Sequence, residues 1–106
     1  MGLQETLTIN LTNPVGTSSS VKSSAYKYLG AVMYPDPNES YALGSGVATL
    51  QFSADGTNFV NSNKTLSNSD AGEFSIDITG VQSVRFLTTT ADGSADPAAN
   101  ISVYLQ

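Results

Sequence analysis

Among the residue types able to do chemistry, the acids come first. Glu73 and Asp77 fall on one face of an alternating stretch, and two carboxyls held about 5 to 10 Å apart around a bond work as acid and base when a cleft raises the pKa of one. The polar face of an antiparallel sheet produces such same-face acids routinely, so the pair reads as solvated surface. The chain has no histidine and no cysteine, which removes the commonest general base, the thiolate nucleophile and the usual zinc ligands. No catalytic residue, no cofactor and no cleft with a strongly shifted carboxylate are expected.

Oxygen ligation is the next possibility. Asp92 and Asp96 flank a glycine-containing loop, but their spacing does not match an EF-hand, and Asp and Gly at turns need no metal to explain them. No metal site is assigned. Sugar binding calls for exposed aromatic platforms beside hydrogen-bonding loops. There is no tryptophan, and Tyr26, Tyr28, Tyr34 and Tyr41 are the available rings. Packing in a core or an interface, with the phenol at a wet edge, explains them as well. In the sugar-binding alternative, Tyr26, Tyr34 or Tyr41 is exposed in a concave patch.

Two irregular stretches are candidate contact segments for a protein partner. Tyr34, Pro35, Asp36, Pro37, Asn38 and Tyr41 belong to the first, where each proline removes a ladder donor and biases its predecessor to extended geometry. Asp92, Asp96 and Pro97 belong to the second, which runs from Ala91 to Pro97. The N-terminal arm is a third candidate.

The elements that carry these segments are strands. The chain has 106 residues, the size of a single domain spanning 1–106, with room for one modest core. Only 12% of the residues are charged, and Ser, Thr, Asn and Gly favour strands and turns over surface helices. A formal charge of −5 repels a phosphate backbone, so nucleic acid is not expected as a partner. No apolar run approaches the roughly 20 residues that cross a bilayer, and no leader-like segment opens the chain, so a soluble product is expected. Met1-Gly2 with Thr6 and the Asn-x-Ser/Thr triplets at Asn10, Asn38, Asn63 and Asn100 arise by chance in such a composition.

Leu3, Leu7, Ile9 and Leu11 alternate with Gln4, Thr6, Thr8 and Thr12, the pattern of a half-buried strand. Asn13 to Ser20 reads as a loop. From Val21 to Tyr34, Tyr26, Tyr28, Val32 and Tyr34 share one face, while Leu29, Ala31 and Met33 share the other. Val47 to Phe52 and Thr57 to Val60 form a hairpin around Asp55-Gly56; a two-residue turn there sets Phe52 opposite Phe59. Phe74 to Ile78 and Gln82 to Thr88 form a second hairpin through Thr79-Gly80-Val81, with Phe74 opposite Phe86, Ile76 opposite Val84, and Arg85 diagonal to Glu73 and Asp77. A last strand turns Ile101, Val103 and Leu105 inward and Ser102 and Tyr104 outward. Roughly six to eight short strands without helical period predict an all-β, antiparallel β-sandwich of jelly-roll-like kind.

The segment Phe52-Ser53-Ala54-Asp55-Gly56-Thr57-Asn58-Phe59, followed by Gly80-Val81-Gln82-Ser83-Val84-Arg85-Phe86, resembles small β-sandwich proteins of tailed-bacteriophage virions. It also resembles the back half of discoidin-type domains, which are usually longer, often cysteine-linked and carry apolar loop spikes that this chain lacks. The likeness covers about Leu50 to Leu87 and is specific to fold rather than to function. The phage resemblance implies a non-enzymatic virion protein, made in the host cytoplasm: a capsid decoration or cement protein, or a small fibre or tail accessory. It implies as partners the major capsid protein or another virion protein, and a homo-oligomer, often a trimer. The strands at Tyr28 to Met33 and Val81 to Leu87 are apolar on both faces, so either neighbouring subunits cover the surplus or these strands are central with loops folded over them.

Overall fold

The computed structural model describes residues 2–11, 16–35, 46–67, 72–91 and 98–106. Alternating apolar residues, scarce helix formers and frequent turn residues give strands throughout: β1 (Leu3–Asn10), β2 (Val21–Lys22), β3 (Tyr28–Pro35), β4 (Val47–Ser53), β5 (Val60–Ser67), β6 (Glu73–Asp77), β7 (Ser83–Thr90) and β8 (Ala98–Leu105). They form two four-stranded sheets, ordered β1-β8-β3-β6 and β2-β7-β4-β5. Every pairing is antiparallel. The pairs β1 with β8, β2 with β7, β3 with β6 and β4 with β5 nest one inside another, as when one long hairpin is wrapped into two layers. This is the jelly-roll arrangement of a β-sandwich.

The inner faces meet in one core. Leu7, Ile9, Leu29, Ala31, Met33, Ile101, Val103 and Leu105 come from the first sheet, and Ala48, Leu50, Leu66, Val84 and Phe86 from the second. The inward rows expected at Leu7, Ile9 and Leu11, at Leu29, Ala31 and Met33, and at Ile101, Val103 and Leu105 are buried, whereas Tyr26, expected on the outer face, packs against the core and Thr12 lies outside the described residues. Phe86 is the largest fully buried side chain, and its strand lies between β2 and β4.

Beside β7, the stretch read as a loop is docked rather than free. Ser18 N–H donates to the Phe86 carbonyl at 2.9 Å, and Phe86 N–H donates to Ser18 Oγ at 2.9 Å. Thr88 N–H reaches the Gly16 carbonyl, and Thr88 Oγ1 the Asn10 carbonyl. Backbone groups that would otherwise be buried unpaired are thereby satisfied.

Several local expectations are corrected. The stretch from Val21 to Tyr34 is two strands in different sheets, because the chain turns after Ser23, whose N–H and Oγ bond the Gln82 and Val81 carbonyls. The β4–β5 hairpin exists, but Phe52 pairs with Val60 rather than Phe59. A longer turn replaces the two-residue one, since Asp55 gathers the following N–H groups. The second hairpin does not form: β6 pairs with β3 while β7 pairs with β2 and β4. Residues 79–82 therefore cross between sheets, and Phe74 and Phe86 do not meet.

Strand β6 carries the irregularity that matters most. Leu29 pairs with Ile76 and Ala31 with Glu73, which leaves Phe74 and Ser75 together opposite Gly30. Ser75 is the extra residue of this bulge and has φ 60°, left-handed geometry that a side chain disfavours. The slip changes the phase of the strand. Ile76 and Ile78 point into the core, whereas Phe74, two residues before Ile76, lies outside and is 65% exposed. It also parts Glu73 from Asp77. Glu73 pairs with inward-facing Ala31 and Asp77 with outward-facing Tyr28, so the two carboxyls do not share a face.

Because Ser75 sits in the left-handed region, Ser75→Val is expected to destabilise the fold by about 1–2 kcal/mol, whereas Ser75→Gly leaves stability equal or higher. Urea unfolding of the three proteins tests this; equal losses from Val and Gly would mean the bulge is not strained.

Candidate functional site

The outer faces of the two sheets differ in kind. On the second sheet, polar side chains satisfy one another. Arg85 Nε donates to Gln51 Oε1 at 2.8 Å, Gln51 Nε2 donates to Asn61 Oδ1 at 2.8 Å, and the hydroxyls of Thr49 and Thr89 lie 2.8 Å apart. The Arg85 guanidinium lies 4.1 Å from the centroid of the Phe59 ring, a favourable cation–π contact. Arg85 is therefore not the diagonal partner of Glu73 and Asp77, which belong to the other sheet. This face is tied up internally.

The outer face of the first sheet is not. Tyr28 on β3, Phe74 on β6 and Tyr104 on β8 are 51%, 65% and 47% exposed. Two of these rings pack over glycine backbone. A Cβ on Gly30 would come within 2.9 Å of Phe74 Cδ1, and a Cβ on Gly2 would occupy the space of the Tyr104 phenol. Glycine in a strand leaves backbone uncovered, and a cross-strand aromatic ring covers it.

Between the rings runs a groove of about 330 Å³, lined by Tyr28, Gly30, Phe74, Ser75, Tyr104 and Gln106. It adjoins a hollow of about 450 Å³ that includes Tyr26, Lys27 and Gln106. On the far side of Phe74 and Tyr104 lies a smaller hollow of about 150 Å³, reaching Gln4, Val32 and Ser102. Together they form a trough across one end of the sheet. Among the described residues, no charged side chain lines its central part.

The residues expected to make contacts are placed as follows. Tyr34 is half-buried, with its hydroxyl 3.1 Å from Ser102 Oγ. Pro35 ends β3, opposite Ala99. Asp36, Pro37, Asn38, Tyr41, Asp92, Asp96 and Pro97 lie outside the described residues. The described residues that flank both segments sit together. Pro35 pairs with Ala99 in one sheet, and Val47 with Thr90 in the other, so both segments leave and re-enter the sandwich at one end. At about 3.3 Å per residue, the six steps from Tyr34 back to Tyr28 put the Tyr28 side of the trough roughly 20 Å away, toward the opposite end of the first sheet, while its smaller hollow reaches back to Ser102, whose hydroxyl meets that of Tyr34. Near the Tyr34 end, Asn100 Oδ1 is buried with no hydrogen-bond partner among the described residues.

The exposed platforms are thus Tyr28, Phe74 and Tyr104 rather than Tyr26 or Tyr34. Tyr26 packs against the core. Gly30 in the middle of an alternating strand was the available signal for Phe74, but its partner strand could not be assigned without the bulge.

Two carboxyls are held low. The backbone N–H groups of Asn58 and Thr57, then the Asn58 amide and the Ser53 hydroxyl, keep Asp55 far below its usual range. The N–H of Thr79 lowers Asp77. A general acid needs the opposite shift.

No family model matches the chain, and no curated protein matches it. The fold has a solved counterpart: the crystal structure of the SPBc2 prophage-derived protein YomS superposes with a TM-score of 0.62, covering 97% of this chain and 94% of that one at 6% identity. At that identity the likeness concerns architecture.

The Asp55 turn yields a pH signature. Its carboxyl titrates below its ordinary value of 3.8 in the folded chain, so its stabilising contribution is complete above that value and is lost as pH falls through the lower native one. Asp55→Asn should therefore be less stable than the parent at pH 7, with the gap closing below pH 3.8. Thermal melts from pH 7 to pH 2 check this, and a gap that does not vary with pH would contradict it.

Proposed function

We propose that the chain is a non-enzymatic structural protein of a phage virion, a capsid decoration protein that stabilises the shell by bridging neighbouring capsid subunits. The observation that carries this reading is the likeness of fold, nearly end to end, to a prophage-derived protein of similar extent. It agrees with the resemblance carried by Phe52 to Phe59 and Gly80 to Phe86.

The geometry supports a polar molecule in the sense of having two different ends. The strand ends at Pro35, Val47, Thr90 and Ala98, from which the two contact segments spring, form one end. That end seats on the shell. The aromatic trough lies away from it and stays open. The docked form is a homo-oligomer, a trimer, whose partner is the major capsid protein.

A molecule that binds the assembled shell and not its separated subunits stabilises the shell by mass action, by about 2.7 kcal/mol per site at a free concentration one hundred times Kd. No bond need be made or broken.

The test adds purified chain to shells, prepared without it, of the phage that encodes it. Co-sedimentation at a fixed ratio to capsid subunits and a raised shell melting temperature are expected. Replacing Tyr34 by Ser should weaken binding at least several-fold, while Tyr104→Ser leaves it unchanged. Failure to co-sediment would overturn the reading, and a monomer by light scattering would remove the trimer.

A further inference from the structure

The trough on the outer face of the first sheet has features of a ligand site that shell docking at the other end does not use. We propose that it binds a neutral saccharide, one or two pyranose rings deep, against Phe74 and Tyr104.

Ring placement is the first ground. Phe74 Cδ1 sits over Gly30 and the Tyr104 phenol over Gly2, so both rings lie against glycine backbone while 65% of Phe74 and 47% of Tyr104 stay open to solvent. A flat apolar face suits the C–H face of a pyranose, and a sugar's hydroxyls then point sideways to whatever polar groups surround the platform. Here the polar residues lining the groove are Tyr28, Ser75, Tyr104 and Gln106. An apolar surface with a few convergent polar groups is the usual composition of a small-ligand site.

Size is the second. The central groove holds about 330 Å³, at the lower end of the range of roughly 300–1,000 Å³ for ligand pockets. Full-sized aromatic side chains of about 150–250 Å² each, about half exposed, give a platform of about 250–400 Å². A stable protein interface needs about 800 Å² per partner. The rings alone are too small a surface for a second copy of the chain and large enough for a sugar.

Charge is the third. Among the described residues the central lining carries no ionised side chain, and the chain as a whole carries −5. Nucleobases stack on such rings as readily as sugars do, but among the described residues the central groove offers their phosphates no cation, Lys27 lining the adjoining hollow instead, and the chain's net charge repels them. A neutral polyol meets neither problem. The strained Ser75 supports the same site, because the bulge it forms is what brings Phe74 to the outer face. Strain persists where the surroundings determine it and often marks functional positions.

The experiment titrates the isotopically labelled chain with maltotriose, chitotriose, mannotriose and galactobiose and follows its amide resonances. At least one of these sugars should shift Gly30, Ser75 and Gln106 together, saturating in the micromolar to millimolar range. Phe74→Ala and Tyr104→Ala should each weaken that binding at least tenfold, and Tyr34→Ala should not. Both rings are solvent-exposed, so either variant keeps the core intact and each checks the other. No shift at these residues with any of the four sugars would overturn the proposal. So would binding that survives both substitutions, or saturation of the groove by a proline-rich peptide with no response to sugar. Shell binding is measured separately with the same variants, so the two readings fail independently.

Discussion

The sandwich depends on pairings between residues far apart in the chain. Among the described residues only β4 and β5 pair across a local turn; β3 pairs with the distant β6, β2 with β7, and β1 with β8, so that Leu3 meets Leu105. With no cysteine to staple the layers, what holds this nested arrangement is the burial of both inner faces at once. Phe86 and the leucine and isoleucine rows share one buried core, and the backbone of residues 16–18 is hydrogen-bonded to β7. Such topologies fold more slowly than ones built on local contacts.

That constraint explains what could be read in advance. Alternation depends on the strand alone, so the inward rows of β1, β3 and β8 were legible, as were the outward positions of Ser102 and Tyr104. Partner choice depends on the wrap. The second hairpin was misassigned because a tight connection at Thr79-Gly80 looks the same whether it folds back within one sheet or crosses to the other. Asn61 to Ser67 was missed as strand because it buries only Leu66 fully, as an edge strand can, and so shows no alternating apolar row.

The bulge at Ser75 was the least legible feature and has the widest effects. Phe74, Ile76 and Ile78 are in phase as letters, and a regular strand would put all three in the core. One left-handed residue moves Phe74 to the surface, separates Glu73 from Asp77, and creates the aromatic face over Gly30. A single phase slip thus dissolves the carboxylate pair suggested by spacing and supplies a site that spacing did not suggest. The polar ladder of Arg85, Gln51 and Asn61 on the opposite sheet shows the contrast, since its groups are already engaged.

Under the proposed function the two ends of the first sheet divide the labour: strand termini toward the shell, aromatic rings on glycine away from it. Electron cryomicroscopy of phage particles propagated with the chain present tests this proposed division most directly. The chain is expected on the outer surface of the shell, with the end at Tyr34 and Ala98 against capsid subunits and Gly30 and Gln106 facing solvent. Particles that lack the chain, or that bury the Phe74 face against the shell, would contradict it.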